Sequence, residues 1–129
     1  YKEYVDNGLA HDKCAFVVLE QCDMTLDQFL IKYINVPVYF SIFKSLLFMI
    51  IHAFRSIKRV FPGFHHFDFH TENFMLKFNH AYHFRASDTK FLLFNVDGEK
   101  YTIPYFGIIP KIIDFGFSSL PEAGFISSA

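Results

Sequence analysis

His66-Phe67-Asp68-Phe69-His70-Thr71-Glu72-Asn73 and Lys111-Ile112-Ile113-Asp114-Phe115-Gly116 are the two stretches that decide how this chain folds. The first has the form H-x-D-x-x-x-x-N and runs straight into Phe74-Met75-Leu76-Lys77-Phe78, an apolar stretch that reads as a strand. The second sets a carboxylate, an aromatic ring and a glycine at the end of a short Lys-Ile-Ile strand. Either alone would be weak, because loop Asp and Asn side chains most often cap turns. Together, in this order and each beside an apolar strand, they form a specific pair.

Working outward, Ala15 to Gln21 is a short apolar run that reads as a buried strand, and Cys22-Asp23-Met24 breaks it. Thr25-Leu26-Asp27-Gln28 has the S/T-x-x-E/Q form of a capping box, which predicts a helix from Leu26 to about Ile34. Pro37 opens a longer helix to roughly Arg59. Apolar residues cover nearly its whole circumference, so packing on several sides is expected. Lys58 and Arg59 suit its C-terminal dipole, and Pro62-Gly63 closes it.

Downstream, Asn79 to Thr89 reads as an irregular surface excursion. Lys90 to Val96 and Lys100 to Ile103 flank Asp97-Gly98, a strong hairpin signal. Pro104 to Pro110 reads as a Gly- and Pro-broken connection, Lys111 to Ile113 as a last strand, and Phe117 to Ala129 shows no periodicity. The fold class is α+β, in one domain without internal repeats.

The bulk numbers agree with a packed domain. Of 129 residues, 52% are apolar and 20% aromatic, which excludes a disordered chain. A net charge of −1 gives no long-range pull toward nucleic acid or an anionic membrane. Cys14 and Cys22 alone do not make a disulfide framework, so a reducing, intracellular (cytoplasmic) location is the expectation. Val36 to Phe54 is apolar enough to resemble a membrane span, but Lys44 and His52 interrupt it. A central Lys costs a spanning helix about 2.5–3.5 kcal/mol on insertion scales, so a buried helix and no membrane span are expected.

The two motifs and the order of elements around them resemble the protein-kinase superfamily, over about Phe16 to Ser119. The likeness is to the helical C-terminal lobe, with short β-hairpins around the catalytic loop. Within the superfamily the chain is most similar to kinase-like proteins of large DNA viruses and to haspin-type Ser/Thr kinases. The resemblance implies a hinge at about 16–24, a helical lobe at about 25–64, a catalytic loop at 65–73, an insertion at about 79–110, and the D-F-G with the start of an activation segment at 111–129. The family's glycine-rich loop, strand Lys and helix Glu would lie upstream of Tyr1, so the 129 residues are expected to be an inactive fragment.

The resemblance also implies chemistry: ATP- and Mg²⁺-dependent transfer of a γ-phosphoryl group to Ser/Thr hydroxyls of a protein substrate. Asp68 would orient the attacking hydroxyl and accept its proton. Asn73 and Asp114 would hold Mg²⁺ through hard oxygens. Phe115 would pack under the long helix, and Gly116 would permit the backbone turn. His66 matches the family's structural loop histidine. His70 stands where most kinases place a Lys that touches the transferring phosphoryl group, and a neutral imidazole supplies less positive charge there. Backbone groups of Glu20 and Cys22 would pair with adenine. Asp27 could reach a ribose, although a first-turn helix acid already has a structural reason to be there. Phe67 replaces the Arg that many kinases use to hold a phosphorylated activation loop, so control by phosphorylation of that loop is not expected.

Three other readings compete. His65, His66, Asp68 and His70 could form a metal site of the H-x-D facial-triad kind. A catalytically weak pseudokinase or scaffold would keep the fold and abandon transfer, as His70 and Phe67 would allow. A small-molecule phosphotransferase of the kinase-like superfamily also carries H-x-D-x-x-x-x-N, usually without so regular a D-F-G.

Overall fold

The fold was analysed from a computed structural model that describes residues 3, 6–8, 17–79 and 90–126. The chain is α+β, and its elements among the described residues include two helices and two small antiparallel sheets. Strand β1 (Met24–Thr25) leads into helix α1 (Leu26–Tyr33) and the long helix α2 (Tyr39–Val60). A short 3₁₀ turn, Thr71–Asn73, precedes β2 (Phe74–Phe78), and β3 (Lys90–Val96), β4 (Glu99–Tyr105) and β5 (Ile108–Ile112) follow.

Helix α1 begins as its capping box dictates. The Thr25 hydroxyl accepts from the Gln28 N–H at 3.1 Å, and the Thr25 N–H donates to Gln28 Oε1 at 3.0 Å. Two of the orphan donors at the helix start are thereby satisfied. Helix α2 starts two residues after Pro37, with no side-chain cap at Val38, and ends at Phe61 just ahead of Pro62-Gly63.

Strand β2 lies between β1 and β5, with Phe74, Leu76 and Phe78 opposite Ile112, Pro110 and Ile108. These residues share one face, because side chains alternate along a strand. That face supplies Phe74, Leu76 and Ile108 to the core, where they meet Leu26 and Phe29 of α1 and Ile42, Leu46, Met49 and Ile50 of α2. Phe29 is fully buried, with ring centroids of Tyr33, Phe78 and Tyr39 at 4.9, 6.3 and 6.5 Å.

The β3–β4 hairpin turns at Asp97 (φ 55) and Gly98 (φ 90), both left-handed, as a two-residue Asp-Gly turn requires. It is docked rather than dangling. Phe94 meets Phe48 at 5.1 Å and His52 at 4.9 Å, and Asp97 pairs with Arg55 and, at 3.6 Å, with Arg59 of α2.

Three expectations need correction. Residues 17–22 form no strand, and Val17 and Val18 are 82% and 94% exposed; an apolar run becomes a strand only where a neighbour pairs with it, and none does among the described residues. Residues 15 and 16 lie outside the described ones. Helix α2 packs on one side: Phe40, Leu47 and Ile51 are exposed, and 28% of its most apolar 18-residue window is buried. By length and composition alone this helix could cross a membrane, with a mean hydropathy of 1.5 over that window. The broken connection after Ile103 is instead mostly sheet: β4 continues to Tyr105 and β5 runs through Pro110. Proline is tolerated there because β5 is an edge strand and can turn the missing N–H away from β2. The excursion expected at 79–89 lies outside the described residues from 80 onward.

Beyond β5 the chain folds back on the loop that follows α2. His65 and Ser119 exchange backbone hydrogen bonds at 3.0 and 2.8 Å, and a 3₁₀ turn at Pro121–Ala123 brings the Glu122 carboxylate to the Gly63 N–H at 2.6 Å. That N–H holds the Glu122 carboxyl below its ordinary range, followed by the residue's own N–H, and with smaller help from His65 and Lys58. A depressed folded-state value means the anchor is intact above the usual carboxylate titration and is lost as pH falls through the folded value. A methyl group on Gly63 would stand 3.0 Å from Glu122 Oε1 and 3.2 Å from the Pro121 ring. The carboxylate can swing aside only by losing its hydrogen bond, and the ring cannot swing at all. Gly63→Ala is therefore expected to lower stability by about 1 kcal/mol, read as an earlier urea midpoint with an unchanged m-value.

Candidate functional site

The loop between α2 and β2 is organised by His66, which is 5% exposed. Its Nε2 lies 2.9 Å from the Ile113 carbonyl oxygen, and its Nδ1 accepts from the Asp68 N–H at 3.3 Å. A carbonyl can only accept and an amide N–H can only donate, so these partners select the tautomer with the proton on Nε2. One imidazole therefore spans the two motifs. A second tie is the Ile113 N–H donating to the Asn73 carbonyl at 3.0 Å.

Asn73 is buried, and its amide nitrogen is 2.9 Å from both the Asp68 carbonyl oxygen and Asp68 Oδ2. Those two acceptors use both amide hydrogens, which leaves Oδ1 as the oxygen with no hydrogen-bonding duty to Asp68. His70 Nε2 lies 3.1 Å from the same amide nitrogen and 3.4 Å from Asp68 Oδ1. With the amide hydrogens already committed, the imidazole is placed to donate to Asp68 Oδ1. Its other nitrogen is 3.8 Å from Glu72 Oε2. His70 is thus turned onto Asp68. Asp27, for which a structural role was favoured over a ribose contact, accepts from the Thr71 hydroxyl at 3.1 Å and pins α1 to this loop.

Backbone strain marks both motifs. Phe67 has φ 61 and Asp114 φ 58, in the left-handed region that costs a side-chain-bearing residue about 1–3 kcal/mol where it is enforced. The turn expected at Gly116 is thus made at Asp114. Gly116 contributes close approach instead: its N–H is 3.4 Å from Asp114 Oδ1, and a Cβ there would lie 3.3 Å from the same oxygen. Phe115 does not pack under α2. It stands 5.2 Å from His66 and 6.4 Å from Phe64, half exposed, because Phe54 of α2 already fills the space behind those rings. Phe67 stacks on His65 at 5.2 Å.

Asp114 lines a cavity of about 210 Å³ together with Leu19, Glu20, Cys22, Lys111, Ile112, Ile113 and Phe115. The residues expected at the hinge and at the D-F-G therefore share one space. Its size is below the roughly 300–1,000 Å³ that encloses a drug-sized ligand, enough for one end of a nucleotide. A larger cavity of about 330 Å³ lies between α2 and β4, lined by Ser41, Lys44, Ser45, Phe48, Ile103 and Pro104. Among the described residues that line it there is no motif residue, acid or amide.

The residue set tests two cation readings differently. Among the described residues no group of three His, Cys, Asp or Glu side chains is arranged to hold a metal, and both ring nitrogens of His66 are committed to backbone groups. The facial-triad reading loses its first ligand on that ground. The Asn73 carbonyl and the Asp114 carboxylate are hard oxygens, the donor type that suits Mg²⁺.

Three participants were not singled out from sequence. Phe54 sits behind both motifs, with Phe69 at 4.9 Å and Phe74 at 6.4 Å. Lys111 pairs with Glu20 at 3.1 Å, and Lys77 donates to the Gln21 carbonyl at 2.8 Å. The alternation of Met75 with Lys77 and of Ile109 with Lys111 was the available signal for the two lysines. No family model, curated protein or solved structure gives a significant match to the chain.

Proposed function

We propose that this chain carries the catalytic-loop and D-F-G part of an ATP- and Mg²⁺-dependent Ser/Thr protein kinase, with a kinase-like fold of the C-terminal lobe. The observation that carries the proposal is the His66 imidazole, which ties the Asp68 backbone to Ile113, the residue before Asp114. Chance occurrence of the two motifs gives no reason for them to meet. Left-handed backbone at Phe67 and Asp114 supports it, since such strain persists where surrounding structure enforces a function-bearing geometry.

In this mechanism Asp68 Oδ1 would orient the substrate hydroxyl for in-line attack and accept its proton late in transfer, while Oδ2 stays with the Asn73 amide. Asn73 holds the Asp68 carbonyl and carboxylate through its two amide hydrogens, and its Oδ1 and the Asp114 carboxylate are the oxygens that would hold a cation. Mg²⁺, when bound, supplies neutralisation of charge on the phosphate oxygens. The backbone of Glu20 and Cys22, which line the same cavity as Asp114, would take the base. His70, turned onto Asp68, keeps that carboxylate in place until substrate arrives.

The same His70 geometry favours a second reading, a scaffold that binds nucleotide without transferring phosphate, because no ammonium stands at that position. One assay separates the two. With full-length protein, ATP and Mg²⁺, label from the γ-phosphate is expected on Ser or Thr of a protein substrate and is expected to vanish with a chelator. Nucleotide binding without any transfer would select the scaffold.

A further inference from the structure

We infer that Lys77 and Lys111 are positioning residues that hold the backbone of residues 19–22 in place for the nucleotide base, an inference that rests on the nucleotide assignment above. The register Met75↔Lys111 and Lys77↔Ile109 puts all four side chains on one face of the β2–β5 pair. All four are half-buried, Ile109 against the edge of the core, and the two lysines meet the segment leading to Cys22. Lys111 Nζ reaches Glu20 Oε2 at 3.1 Å, and Lys77 Nζ donates to the Gln21 carbonyl at 2.8 Å.

The segment needs such a hold. Residues 17–22 form no regular secondary structure, and among the described residues no backbone hydrogen bond joins them to the sheet. Backbone anchoring begins only at Asp23, whose N–H donates to Leu76 and whose carboxylate accepts from Phe78. Val17, Val18 and Leu19 are exposed and supply no packing force. Among the described residues the two ammonium groups are then the ties that hold this part of the cavity lining. Lys111 is paired to the segment's own acid, so its work is on the segment proposed to take the base.

The test is nucleotide affinity in full-length protein, by titration with ATP and Mg²⁺ and, separately, with inorganic tripolyphosphate and Mg²⁺. Lys111→Ala is expected to weaken ATP about 5-fold, the scale of one exposed ion pair, and to leave tripolyphosphate unchanged. Lys111→Arg and the exchanged pair Glu20→Lys with Lys111→Glu are expected to restore ATP affinity. Amide exchange at residues 19–22 of the free protein is expected to quicken in Lys77→Ala and Lys111→Ala. Unchanged exchange in both variants, unchanged ATP affinity in Lys111→Ala, or an equal loss of tripolyphosphate would overturn the inference while the proposed function stood. A wild-type protein that binds no ATP would overturn the proposed function, and the exchange measurement would still judge the clamp.

Discussion

Asp68→Asn in the full-length protein is expected to slow phosphoryl transfer by about 10²–10⁴-fold, the usual worth of a positioned general base, with almost no change in melting temperature. The asparagine keeps an oxygen to accept from the Asn73 amide, so the loop geometry survives. What it loses is the ability to take a proton. Asp68→Ala removes the acceptor as well and frees Asn73 and His70 to move, so it would combine two effects. Transfer by Asp68→Asn at the wild-type rate would remove this residue from the mechanism.

His66→Ala is expected to be the most destabilising single change in the candidate site, by about 2–4 kcal/mol. The imidazole is buried and satisfies two backbone groups at once, the Ile113 carbonyl and the Asp68 N–H. Alanine leaves both without their partner and opens a void against Phe54 and Phe115. His66→Phe fills the void and still strands both groups, so most of the loss is expected to remain. Chemical denaturation of the three proteins, compared at a common m-value, reads this directly. Equal stability of wild type and His66→Phe would mean that packing alone joins the loops.

What could be read from sequence was what is decided locally. The Thr25–Gln28 cap, the Asp97-Gly98 turn and the run Phe74 to Phe78 each depend on neighbours a few residues away, and each formed as expected. A structural role for His66 was expected from the resemblance alone; its two backbone partners are visible only in the structure. What failed depends on distant surroundings. The apolar run at 17–21 carries strand-forming side chains, but pairing needs a partner strand, which local composition does not reveal. The exposed side of α2 mixes Phe40, Leu47 and Ile51 with Lys44 and Arg55, and those apolar members hid an asymmetry that the charges mark. Pro110 looked like a breaker because its place at a sheet edge is a property of the topology. The left-handed backbone at Asp114, where Gly116 was the obvious candidate, is imposed by the ties that Ile113 makes to His66 and Asn73.

The proposed function makes one requirement: Asn73 and Asp114 would share a cation when nucleotide is bound. Paramagnetic Mn²⁺, standing in for Mg²⁺, tests it most directly through nuclear resonance broadening in the full-length protein. With ATP bound, the Asn73 side-chain amide and the backbone amides of Asp68, Asp114 and Gly116 are expected to broaden together, and Asp114→Asn is expected to abolish the effect. Broadening that ignores nucleotide, or that centres on His65 and His70 and spares Asn73 and Asp114, would contradict the account.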